Sequence, residues 1–190
     1  MIGASDLAAG LRGALRLARF DARGLEQFDN TPRGFWRSFV VALLILPGVL
    51  WLSVAGPEQA TATDVPAGRF YAILLIQYVV EWTAFPLVMA TVCQAIGRDD
   101  RFIGFVIAYN WSRVISQPLL LLLIATAGTA PLAALPGFLV AAYVLVFTWF
   151  VIRKALDISA LGAIGILLLN VVVDLFILSV SQALIQASPA

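Results

Sequence analysis

The chain has 190 residues, of which 62% are hydrophobic and only 12% charged, with a net charge of +1. That balance excludes an ordinary soluble domain, which needs a larger charged surface. A single cysteine, Cys93, rules out an internal disulfide, and the lack of histidine argues against a zinc centre, so no cofactor is expected.

Residues 1–35 form a polar N-terminal segment, in which Ser5 or Asp6 can cap a helix starting at Leu7. On that helix Leu7, Leu11 and Leu15 make an apolar stripe, and Arg12, Arg16, Arg19 and Arg23 make a basic one. Paired stripes of this kind describe an amphipathic helix on an anionic membrane surface, with lipid headgroups as partners. A solvated helix whose arginines only set topology is the alternative, and Gly10 and Gly13 weaken the helix in either case. The turn chemistry from Asn30 to Gly34 then ends the segment.

Residues 36–187 read as five membrane-spanning helices. The uncharged runs 38–57 and 114–152 have the length and apolarity a span needs, and no run alternates as a barrel strand does. The predicted spans are 36–55, interrupted at Pro47-Gly48; 69–96, containing Pro86; 102–127, containing Pro118; 132–152; and 158–185. "AGTAP" at 127–131 separates the third from the fourth, since a four-span reading would leave this turn in lipid with unpaired backbone. Pro47, Pro86 and Pro118 are candidate kinks. Trp36, Trp51, Phe70, Tyr71, Trp149 and Phe150 fall near span ends, as interfacial anchors do.

Loop charge predicts orientation. Six arginines up to Arg37, then Arg98 and Arg101, then Arg153 and Lys154 alternate with a side whose one basic residue is Arg69. The positive-inside rule places the N-terminus in the cytoplasm and, after five spans, the C-terminus outside. Eleven arginines to one lysine, with abundant alanine, point to a GC-rich bacterial genome and so to a multi-pass protein of a bacterial inner membrane.

Three ionisable residues fall inside spans: Glu81, Arg113 and Asp174. Counted inward from Arg98, Arg101 and Asp157, they lie roughly 25, 18 and 25 Å deep at 1.5 Å per residue. Each heads a polar stripe: Gln77 precedes Glu81 by four, Asn110 and Gln117 flank Arg113, and Asn170 precedes Asp174 by four. Convergence of the three stripes is expected, with Arg113 opposite a carboxylate. Two readings stay open: plain glue between helices, or a site for a transported substrate or proton. The prolines free the carbonyls of Trp82 and Val114 beside this layer, as the broken helices of transporters do. No phosphate-binding loop, H-E-x-x-H or G-x-S-x-G occurs. Ser53, Ser112, Ser116, Ser179 and Ser181 lack an obvious base, so an enzyme, including one acting on lipids, is not expected.

"NTPRGFW" before span one, "AIGRDDRFIGFVIAYNWSRVISQP" across the second loop and third span, and "VIRKALDISALGA" before the last span resemble the Yip1-type family of five-span membrane proteins. The resemblance covers about residues 28 to 185 in order and texture. It implies a membrane-organising role with protein partners and no catalysis. The reading is therefore a non-enzymatic, partner-binding membrane component that engages another protein or itself, with a small transporter or transporter subunit as the alternative. Nucleic acid is not expected as a partner.

Overall fold

The computed structural model describes residues 3–55, 65–126 and 134–187. The turn expected at 127–131 lies outside the described residues. All regular structure in them is helical: α1 (Ala4–Ala18), α2 (Pro32–Ser38), α3 (Val40–Ala55), α4 (Ala67–Ala95), α5 (Phe102–Thr126), α6 (Ala134–Leu156) and α7 (Ala160–Gln186), with short 3-10 turns at Ala22–Gln27 and Asp99–Arg101. Five helical stretches are long and apolar enough to cross a membrane: Pro32–Val54, Ala67–Ala95, Asp99–Thr126, Leu135–Leu156 and Ala160–Gln186.

The first of these spans is α2 and α3 together. Thr31 caps α2 by accepting the Gly34 N–H at 3.1 Å, and Pro32 occupies the first turn, where a missing N–H costs nothing. The segment boundary drawn at residue 35 therefore falls inside a helix. The helical path breaks at Phe39, between α2 and α3. It does not break at Pro47-Gly48, because α3 runs through both residues. α4 and α5 likewise continue through Pro86 and Pro118.

α5 is the central post. It packs against α1, α2, α3, α4 and α6, and its residues 105–113 are buried on every side. A helix apolar over most of its circumference can occupy such a position. Phe105, Ile107 and Val106 fill it, together with Phe85 and Met89 of α4 and Phe147 of α6. Cys93 is buried in the same core, as its small apolar character predicts.

α4 and α7 are antiparallel neighbours, tied at both ends. Arg98 donates to the Asp157 carbonyl at 2.8 Å, and Arg69 donates to the Leu184 carbonyl at 2.7 Å. Arg101 adds a looser ion pair to Asp157 at 3.8 Å. The loops after α4 and α6 thus share one end of the bundle.

α1 differs from its expected form in three ways. Its N-cap is Gly3, whose N–H is taken by the Asp6 carboxylate at 2.9 Å, so Asp6 sits in the first turn and does not precede the helix. It buries a face outside the two expected stripes, Gly10, Gly13, Ala14 and Leu17, while Leu11 and Leu15 of the leucine stripe are exposed. The glycines that weaken an isolated helix are here its contact surface: a Cβ on Gly10 would clash with the Trp111 ring, and one on Gly13 with Phe28. Finally, Arg23 is off the helix. α1 ends as a Schellman motif, with Asp21 N–H bonded to Arg16 O at 3.0 Å and Phe20 N–H to Leu17 O at 2.8 Å, around a left-handed Phe20 (φ 58°). Arg23 then pairs with Asp21 at 3.0 Å, and its guanidinium holds the Asp21 carboxyl below the usual range.

Of the predicted anchors, Trp36, Trp51 and Tyr71 are exposed, and Trp149 is half-buried with its indole N–H donated to Ala160 O at 3.1 Å. Phe70 and Phe150 are core residues instead. Phe150 is drawn inward by an edge-to-face contact with Phe20 at 5.4 Å.

Candidate functional site, a polar layer at mid-membrane

Glu81 is the fifteenth residue of the 29-residue α4, and Asp174 the fifteenth of the 27-residue α7, so both sit at mid-helix. Glu81 precedes Arg98 by 17 residues, and Asp174 follows Asp157 by 17. Arg98 and Asp157 touch, so equal lengths of antiparallel helix bring the two carboxylates to one level. Arg113 reaches that level from α5, where its Nη1 donates to the Glu81 main-chain carbonyl at 3.3 Å.

The layer is not held together as the sequence pattern predicts. Among the described residues no carboxylate lies within ion-pair distance of Arg113. The guanidinium is 93% buried and held by other groups. It stacks 3.8 Å from the centre of the Trp82 ring, with Tyr109 at 5.9 Å. With the Gln117 amide turned so that its oxygen faces the guanidinium, the orientation its donors and acceptors require, that oxygen accepts from Nε at 3.3 Å and Nη2 at 3.0 Å. A planar cation between an aromatic face, an amide and a carbonyl is satisfied without a counter-ion at contact.

Each carboxylate instead takes a hydrogen bond from its own helix. Gln77 Nε2 donates to Glu81 at 2.7 Å, and Asn170 Nδ2 donates to Asp174 at 3.2 Å. Tyr109 joins α5 to α7 by donating its hydroxyl to Asn170 Oδ1 at 3.4 Å. The four-residue spacings of Gln77, Gln117 and Asn170 therefore work as the helical period predicts.

Asn110 departs from the cluster. It is fully buried and turns toward the α2–α3 break, donating to Ser38 Oγ at 2.9 Å. A three-residue offset on a central helix is enough to meet a different neighbour. Trp82 and Tyr109 are members the sequence reading left out. Tyr109 carried a legible signal, since it lies four residues before Arg113. The carbonyl that Arg113 takes belongs to Glu81, one residue before the one freed by Pro86.

Asp174 is exposed on α7 and Glu81 is half-buried, so the carboxylates open outward while Arg113 lies behind them. Facing hydrocarbon, a charged group at a span's centre costs about 2.5–3.5 kcal/mol on insertion scales. Ser53, Ser112 and Ser179 donate to carbonyls three residues back on their own helices, at 2.8, 2.7 and 2.8 Å. That is the backbone-bonding role expected of helix serines.

The fold and this layer define a multi-pass, all-helical membrane protein with five candidate spans. No family model, curated protein or solved structure matches the chain.

Proposed function

We propose that the chain is a non-enzymatic, membrane-organising and partner-binding component of a bacterial inner membrane, with its N-terminus in the cytoplasm and its C-terminus outside. The observation that carries this reading is the geometry of α1. The helix has three longitudinal faces. Gly10, Gly13, Ala14 and Leu17 seat it on the bundle; Leu11 and Leu15 form a second, exposed face; Arg12, Arg16 and Arg19 form a third beside it. A helix anchored on one side, with leucines and arginines adjacent on the other, matches the acyl and phosphate layers of an anionic leaflet. Of the eleven basic residues other than Arg113, ten fall at the α1 side under the predicted topology. The resemblance to Yip1-type proteins points the same way.

The test uses the full chain in nanodiscs of phosphatidylcholine with and without phosphatidylglycerol. Lipid retained on the protein after transfer to detergent is counted by native mass spectrometry. Selective retention of phosphatidylglycerol is expected, and Arg12→Gln/Arg16→Gln/Arg19→Gln should remove it, at about 1 kcal/mol per arginine. Equal retention of both lipids would sink the surface role. Transport is the second reading, favoured by the co-level Glu81, Arg113 and Asp174. Under it, cysteine at position 174 would react with a water-soluble maleimide.

A further inference from the structure

We propose that the α4–α7 seam is a docking groove for a transmembrane helix of a different protein, one that carries a basic side chain at mid-bilayer. The proposal rests on the partner-binding reading and names the partner's chemistry, but it uses a surface separate from α1. Three observations carry it.

The first is shape. Between α4 and α7 lies an apolar groove of about 160 Å³, lined by Ile73, Ile76, Val80, Phe176, Val180 and Leu184 among others. Ile76 and Phe176 are 65% and 67% exposed, so the groove faces out of the bundle. Ile73, Ile76 and Val80 at i, i+3, i+7 and Phe176, Val180 and Leu184 at i, i+4, i+8 form an apolar row on each helix, the geometry that receives a third helix.

The second is charge. Glu81 and Asp174 do not line the groove but lie one turn from it at one level, since Gln77, four residues before Glu81, and Ile177, three after Asp174, both line it; each carboxylate has a single side-chain hydrogen bond among the described residues. A carboxylate has about four acceptor positions, so most of that capacity is open. The cation of the layer does not fill it, because Arg113 is held by Trp82, Gln117 and the Glu81 carbonyl. Lipid tails offer no donors. A single ammonium or guanidinium on an incoming helix would supply them.

The third concerns which helix fits. A second copy of this chain brings the same two carboxylates, and its own mid-membrane cation is 93% buried. Across a two-fold axis, acidic side chains would face acidic side chains. Charge therefore selects a partner of different sequence.

The experiment reconstitutes the full chain, donor-labelled at Cys93→Ser/Ser5→Cys, into phosphatidylcholine vesicles. The probes are acceptor-labelled leucine–alanine transmembrane peptides: one with a central lysine, one with leucine there, and one with the lysine moved two turns toward an end. Energy transfer should show the central-lysine peptide binding about tenfold more tightly than the leucine peptide, which is some 1.4 kcal/mol. Moving the lysine should remove most of that preference, as should Glu81→Gln/Asp174→Asn. Ile76→Trp, which fills the groove and leaves the carboxylates intact, should weaken both centrally matched peptides.

Equal binding of the lysine and leucine peptides to the unaltered chain overturns the proposal, whatever the variants do. So does a lysine preference retained in a double amide variant with wild-type circular dichroism. Self-association of the chain that Ile76→Trp abolishes would assign the groove to a second copy, and also overturns it. Phosphatidylglycerol retention through α1 is independent of all three, so a failed groove leaves the surface reading standing.

Discussion

Two glycines on the N-terminal side show how a single hydrogen in place of a methyl group permits close packing, Gly10 between helices and Gly34 against the turn before α2. A Cβ on Gly10 would clash with the Trp111 ring of α5, and one on Gly34 with the Asp29 carbonyl oxygen in the turn before α2. Neither neighbour is the tip of a flexible chain. Gly10→Ala should loosen α1 by about 1–3 kcal/mol, the usual range for overpacking. Trypsin cleavage at Arg12, Arg16 and Arg19 in proteoliposomes reads this directly, and unchanged cleavage would show that α1 tolerates the methyl. Gly68→Ala is the control, since nothing lies within 4 Å of its added Cβ. Arg113 poses the converse case. Arg113→Lys keeps the charge but loses the planar stack on Trp82 and the two-point contact with Gln117, so a lower thermal midpoint is expected. A lysine variant with the wild-type midpoint would mean that charge alone suffices there. The sequence revealed that Arg113 had to be satisfied but not by what, because stacking and amide contacts lie across helices, where helical periodicity says nothing.

At the scale of elements, three helices stop in the same way. α1, α4 and α6 each end at a left-handed residue: Phe20 (φ 58°), Gly97 (φ 67°) and Asp157 (φ 52°). A side chain with Cβ in that region costs about 1–2 kcal/mol relative to glycine. Phe20 and Asp157 accept that strain and gain contacts, since the Phe20 ring meets Phe150 and Tyr143, and Asp157 meets Arg98 and Arg101. Gly97 has open space around its Cβ position, so Gly97→Ala should destabilise by about 1 kcal/mol through backbone strain alone. Denaturant titration in mild detergent measures this, and a neutral result would imply that the loop relaxes into another turn. The number of spans and their limits were legible in the sequence to within a few residues, because hydropathy and punctuating residues act locally, but the break at Phe39 that divides the first span was not. The inward face of α1 was not. Leucine spacing pointed to a lipid-facing stripe at Leu7, Leu11 and Leu15 and was silent on the glycine face, where close approach to Trp111 favours the residues with the least bulk.

For the molecule as a whole, the organising fact is a central α5 with a polar layer at its middle. Depth was legible: equal residue counts from the loops placed Glu81 and Asp174 together, and the ties at Arg98 and Arg69 fix the same register. Direction around each helix was legible for Gln77, Gln117 and Asn170, which share a face with their charge. It was not legible for Asn110, whose partner Ser38 lies 72 residues away in sequence. The topology proposal makes its own prediction. A single cysteine at Ser5 should react with impermeant maleimide only after the bacterial membrane is opened, and one at Ser188 should react in intact cells. The opposite pattern would invert the protein.

The post is also the least apolar of the five candidate spans and the most enclosed. On the ribosome it emerges third, before α6 and α7 exist to surround it. Arg113 must then enter the bilayer with only the helices before it to hand, and among those α4 already offers a berth in Trp82 and the Glu81 carbonyl. Biogenesis should thus depend on Trp82: in nascent chains halted just past α5, Trp82→Leu should let that segment slip back out of the translocon.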